Sequence, residues 1–119
     1  MAKVLIVDDS RTSRRLLREM LERNGFEVAG EASNGEEGWQ MYGQVKPDLV
    51  TMDITMPKMD GIESLSLILR DDSEAKIIMI TAAGQREKMV EAIKRGAFDF
   101  LTKPFDEEKV IQTLKDALN

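Results

Sequence analysis

The 119-residue chain contains no cysteine and no histidine. Without cysteine there are no disulfides, no thiolate nucleophile and no thiolate zinc site, and nothing points to an oxidising compartment. Without histidine there is no serine or cysteine triad, no imidazole metal ligand and no self-contained phosphohistidine chemistry. Long apolar runs are missing too. Stretches such as Val4 to Val7 and Ile77 to Ile80 fall far short of the roughly 20 residues that a membrane-spanning helix needs. No signal-peptide pattern precedes them, so a cytoplasmic protein with no membrane contact is expected. A basic excess is absent as well: a net charge of -5 and a pI near 4.8 argue against a direct nucleic-acid surface. There is no linker, low-complexity segment or short-period repeat. With 42% hydrophobic and 33% charged residues, residues 1–119 fit one domain around a single modest core.

What is present is an alternation of short apolar runs with amphipathic stretches. Lys3 to Val7 reads as a strand that ends in two adjacent carboxylates, Asp8 and Asp9, whose repulsion calls for a cation or for protonation. Ser10 is placed to cap a helix carrying Leu16, Leu17, Met20 and Leu21 on one face, with Asn24-Gly25 as its stop. Its arginines, with Arg15–Glu19 and Arg18–Glu22 four apart, suit a solvated charged face, and Arg11 and Arg14 could serve docking. Glu27 to Ala32 alternates in the manner of an edge strand. Asn34-Gly35 opens a second helix, whose buried bulk is expected from Trp39 and Tyr42, with Gly38 and Gly43 weakening it by about 1 kcal/mol each.

Leu49, Val50 and Met52 are too continuously apolar for a one-sided strand, so they predict a central strand covered on both faces. That strand ends in Asp53, followed by Thr55-Met56-Pro57 and a loop to Gly61. A third helix carries Ile62, Leu65 and Leu69. The acidic turn Asp71 to Glu74 lacks the ligand spacing of a calcium site. Ile77 to Ile80 is a further buried strand, ending in Thr81. A fourth helix with Met89, Val90 and Ile93 stops at Gly96, and Phe98 to Thr102 runs as a fifth strand into Lys103-Pro104. The last helix begins near Asp106, with Val110, Ile111, Leu114 and Leu118 on its inner face. Repeated strand–helix units imply right-handed crossovers and a parallel α/β sheet with helices on both faces. Asp8, Asp9, Asp53, Thr81 and Lys103 then share the rim at the carboxyl ends of the strands, where such sheets bind ligands.

The acidic pair after strand one, Asp53 with Met56-Pro57 and Asp60-Gly61, Thr81-Ala82 after strand four and Lys103-Pro104-Phe105 after strand five make the whole chain resemble the receiver domain of two-component response regulators. Within that family it is similar to the single-domain chemotaxis type. The resemblance implies a five-stranded flavodoxin-like (βα)5 fold with strand order 2-1-3-4-5. It implies Asp53 as phospho-acceptor and Mg2+ held by Asp8, Asp9, Asp53 and the Thr55 carbonyl, with Asp8 acting through water. Lys103 would pair with Asp53 and then with the phosphate, and the Thr81 hydroxyl would bond a phosphate oxygen. Thr81 and Phe100 would act as switch residues, and Lys103-Pro104 resembles the family's cis peptide.

The same resemblance implies a histidine kinase or histidine phosphotransfer protein as donor. It also implies an output partner on the face of helix four, strand five and helix five, the flagellar motor switch if the chemotaxis type holds, and a monomer that is no enzyme in the ordinary sense. Thr55 and Ala83 border the approach of hydrolytic water in the family, and neither offers an amide or carboxylate to orient it. The alternatives are the receiver of a larger DNA-binding or enzymatic regulator and a small Asp-dependent phosphatase. The phosphatase requires a second acid two residues after the nucleophile, where this chain has Thr55.

Overall fold

The computed structural model describes all residues, Met1–Asn119. Five strands, β1 (Lys3–Val7), β2 (Glu27–Ala32), β3 (Leu49–Asp53), β4 (Ile77–Thr81) and β5 (Asp99–Thr102), alternate with five helices. The helices are α1 (Arg11–Glu22), α2 (Gly35–Val45), α3 (Gly61–Asp71), α4 (Arg86–Lys94) and α5 (Glu107–Leu118). All neighbouring strands pair in parallel, in the order β2-β1-β3-β4-β5. The expected flavodoxin-like order is therefore present, with β2 at one edge.

Side-chain alternation sorts the core into two layers. Val4, Ile6, Leu49, Ile78 and Ile80 pack with Leu17 and Leu21 of α1 and with Val110, Ile111 and Leu114 of α5. Leu5, Val7, Val50, Met52, Ile77 and Met79 pack on the other side with Ile62, Leu65 and Ile68 of α3 and Ala92 of α4. Each fully buried leucine of these layers contributes about 2 kcal/mol of transfer free energy.

Not every apolar residue expected on an inner helix face is buried. Leu16 is 49% exposed, and α1 buries Leu17 and Leu21. On α3 it is Ile68 that is fully buried and Leu69 only partly, and on α5 Ala117 is buried while Leu118 is 40% exposed. In each case the apolar stripe is wider than the face the sheet covers, and the helix rotation that seats the larger cluster leaves the flanking residue outside. Trp39 and Tyr42 sit half-buried at the margin of the core. Their polar tips reach Asp71 and Asp72, with Trp39 Nε1 donating at 2.7 Å and the Tyr42 hydroxyl at 2.7 Å. Gly38 is a packing requirement: a Cβ there would lie 2.9 Å from both Val7 methyl groups, so the glycine lets α2 close on β1.

Candidate functional site

Two local features deliver acidic groups to one point. β1 ends at Val7, and the Asp8 amide still bonds the Ala32 carbonyl of β2 at 3.0 Å. The chain then turns into α1, with Ser10 capping the helix through the Ser13 amide at 3.2 Å. Asp8 Oδ1 accepts from the Ser10 amide at 2.8 Å, which fixes the carboxylate toward the sheet rim. β3 carries Asp53 on the same sheet face. The start of α3 closes tightly over the end of β3: the Gly61 amide bonds the Ile54 carbonyl at 2.7 Å, and a Cβ on Gly61 would lie 2.0 Å from the Asp53 carbonyl oxygen. Only glycine permits that approach.

Carboxylate oxygens of Asp8, Asp9 and Asp53 lie within 4.8 Å of one another. Asp8 and Asp53 are buried and Asp9 is exposed, so the cluster opens to solvent on one side. Three oxygen donors at this spacing, with no sulfur or nitrogen ligand nearby, form a set suited to a hard divalent cation such as Mg2+. Burial and the neighbouring Asp8 charge, only partly offset by Lys103, push the Asp53 carboxyl up from its usual 3.8 to about 6. Lys103 moves upward as well: burial opposes its charge, but the hydrogen bond to Asp8 and the charges of Asp53 and Asp8 outweigh that.

Lys103 reaches the site from the end of β5, where its amide bonds the Thr81 carbonyl at 2.8 Å and its bond to Pro104 is cis. The ammonium pairs with Asp53, as the resemblance implies, and also with Asp8. It lies 2.9 Å from Asp8 Oδ2 and 3.5 Å from Asp53 Oδ2, because two carboxylates compete for one cation and Asp8 is the nearer. The buried Thr81 hydroxyl donates to the Leu101 carbonyl at 3.4 Å, a length that marks a weak bond. Phe100 is half-buried and packs against the α2–α3–α4 layer of the core.

Two contacts had no legible signal in the sequence. Arg18, expected on a solvated face, and Arg14, offered for docking, both bind Glu31 of the edge strand, at 2.7 and 3.1 Å, and Arg14 also donates to the Asp8 carbonyl at 2.6 Å. The pairs Arg15–Glu19 and Arg18–Glu22 form as the spacing predicts. Gln85, between β4 and α4, sends its carboxamide across the rim. Its Oε1 accepts from the Ala82 amide at 2.7 Å and its Nε2 donates to the Thr55 hydroxyl at 2.6 Å.

Fold and site together define a doubly wound α/β protein with an acidic, cation-ready cluster, a hydroxyl and a lysine at the carboxyl rim of its sheet. Comparison with known sequences places it within that class: the chain belongs to the response regulator receiver domain family, whose model matches residues 4–115. It is 49% identical to the chemotaxis protein CheY of Thermotoga maritima over 94% of this chain and 93% of that protein. To the CheY of Halobacterium salinarum it is 53% identical over 99% and 98%. Among solved structures it superposes with a TM-score of 0.94 on a chain of the CheX–CheY–BeF3–Mg2+ complex from Borrelia burgdorferi, at 39% identity over 99% of this chain and 90% of that one. The protein is thus a CheY-like receiver domain of the two-component response regulators, and chemotaxis and two-component signalling are the setting of its relatives. No helix is long and apolar enough to cross a membrane.

Proposed function

We propose that this protein is a phospho-acceptor that takes a phosphoryl group onto Asp53 from a partner's phosphohistidine and passes the signal to a protein partner, in the chemotaxis manner. The observation that carries the reading is the convergence of Asp8, Asp9 and Asp53 within 4.8 Å with Lys103 at 2.9 and 3.5 Å from two of them. Phosphoryl transfer asks a protein mainly for position and charge neutralisation.

Asp9, Asp53 and the Thr55 carbonyl would be the direct ligands for Mg2+. Asp8, whose oxygens already serve Ser10 and Lys103, would act through water. When bound, Mg2+ neutralises charge on the transferring oxygens and keeps Asp53 ionised. An oxygen of the Asp53 carboxylate attacks phosphorus, the phosphorus–nitrogen bond of the donor breaks, and its electron pair stays with the departing imidazole, which takes up a proton. Lys103 follows the negative charge from the carboxylates to the phosphoryl oxygens. Because the chain has no histidine, the donor is a separate histidine kinase or phosphotransfer protein, or a small acyl phosphate.

Output uses the Thr81 hydroxyl, whose 3.4 Å bond to the Leu101 carbonyl is cheap to break. As Thr81 swings to the phosphoryl group, the space it leaves admits Phe100, which alters the surface of α4, β5 and α5. Val90, Ile93 and Phe98 already expose 41%, 40% and 45% of their surface there, an apolar face fitted to a protein partner. The test is intact-protein mass spectrometry with acetyl phosphate. One phosphoryl group is expected with Mg2+, and none without it or in Asp53→Asn; labelling of the metal-free protein refutes the reading.

A further inference from the structure

Thr55 and Ala83 carry no amide or carboxylate, yet the fold sets the Gln85 carboxamide against the Thr55 hydroxyl. β3 and β4 are paired neighbours, with Asp53 opposite Ile80 in register, so the loops beginning at Ile54 and Ala82 leave the sheet side by side. Gln85 is the N-cap residue of α4 and makes no capping bond to its own helix. Its carboxamide joins the two loops, accepting from the Ala82 amide at 2.7 Å and donating to the Thr55 hydroxyl at 2.6 Å. An acceptor is required toward a backbone N–H, so the orientation of the amide is fixed by chemistry. Both bonds are short, and the planar carboxamide leaves the linkage no slack. Around it, Ala82, Ala83, Gly84 and Arg86 are exposed, and Gly84 has φ +85°, so little else restrains this segment.

We infer that Gln85 is a positioning residue that holds the Thr81–Gly84 segment to Thr55 in the resting protein, and that the linkage is released when a phosphoryl group on Asp53 draws that segment in. The inference rests on the function proposed above. The Ala82 N–H, one peptide beyond Thr81, is engaged by Gln85 at rest, and the span between Ala82 and Thr55 cannot change while both bonds persist. A contact made in the resting state alone biases the equilibrium against the activated one, and removing it raises apparent affinity for anything that selects the activated state.

The probe is beryllofluoride, formed from beryllium in excess fluoride, titrated at saturating Mg2+ and followed by amide NMR shifts in α4. Gln85→Met keeps the length and removes both bonds; Thr55→Val removes the hydroxyl acceptor. Gln85→Met is expected to bind beryllofluoride about fivefold more tightly, the loss of roughly one net hydrogen bond from the resting state. Thr55→Val gains less, and the double variant binds no more tightly than Gln85→Met, because the two changes cut one linkage. The Mg2+ affinity of Gln85→Met without beryllium stays at the wild-type value. Unchanged or weaker beryllofluoride binding in Gln85→Met, additive gains, or a parallel change in Mg2+ affinity overturns the inference. Failure of the wild-type protein to bind beryllofluoride with Mg2+ is a separate result: it defeats the phospho-acceptor reading and this inference with it.

Discussion

Asp53→Asn should make the metal-free protein more stable at pH 8, although it removes a group that Lys103 partly neutralises. Burial and Asp8 raise the Asp53 carboxyl from 3.8 to about 6 even with Lys103 3.5 Å away, so in the fold its charge is a net liability. In the unfolded chain it ionises near 3.8. Between those values the folded state holds the extra proton, and stability therefore falls as pH rises from about 4 to about 6. The displacement corresponds to about 3 kcal/mol, which solvent at the open mouth screens to about 1–2 kcal/mol. Asn has the same shape and no charge to desolvate. In urea titrations without metal, the variant should exceed wild type by about 1–2 kcal/mol at pH 8 and by nearly nothing at pH 4, with an unchanged m-value. Loss of stability at pH 8, or an equal gain at both pH values, would refute the assignment of this strain to an ionised Asp53.

Three further outcomes follow from the same geometry. Mg2+ at a hundred times its Kd should stabilise the fold by about 2.7 kcal/mol, read as a rise in Tm that Asp53→Asn and Asp9→Asn reduce; an unmoved Tm would count against a cation at this cluster. Thr81→Ala should still take up phosphate, because the nucleophile and the acids remain. Its α4 amide shifts on beryllofluoride binding should be much smaller than those of wild type, and full-sized shifts would remove Thr81 as the coupling residue. Thr51, two residues before Asp53, has a buried hydroxyl with no hydrogen-bond partner. Thr51→Val is expected to stabilise the protein by about 1 kcal/mol in urea denaturation, whereas destabilisation would mean that the hydroxyl is satisfied in solution.

The strands were legible because β1, β3 and β4 are covered on both faces, which requires continuous apolar runs, and because Asn24-Gly25, Asn34-Gly35 and Asp60-Gly61 punctuate the chain at helix ends. The rim was legible for a related reason: Asp8, Asp53, Thr81 and Lys103 directly end or follow strands, so parallel topology alone brings them to one edge. Side-chain partners beyond that edge were not. Lys103 has two carboxylates within reach, and only the relative placement of β1, β3 and β5 makes Asp8 the closer at 2.9 Å. Arg14 and Arg18 find Glu31 on a strand that no helix periodicity mentions. Gln85 is a polar residue in an exposed loop, and nothing local distinguishes a carboxamide that bridges two loops from one left in water. The exposure of Leu16 and Leu118 and the partial burial of Leu69 share another origin. A helix with more apolar residues than its buried stripe can hold leaves the choice to tertiary packing.

A phosphoryl group on Asp53 is held as an acyl phosphate. Borohydride reduces an aspartyl phosphate to homoserine, so the most direct measurement is reduction of the protein after exposure to acetyl phosphate and Mg2+, followed by peptide sequencing across residues 47–58. Homoserine at position 53, dependent on Mg2+, is the predicted result. Homoserine at Asp8 or Asp9, or a phosphoryl group that borohydride does not displace from a hydroxyl such as that of Thr55 or Thr81, would contradict it.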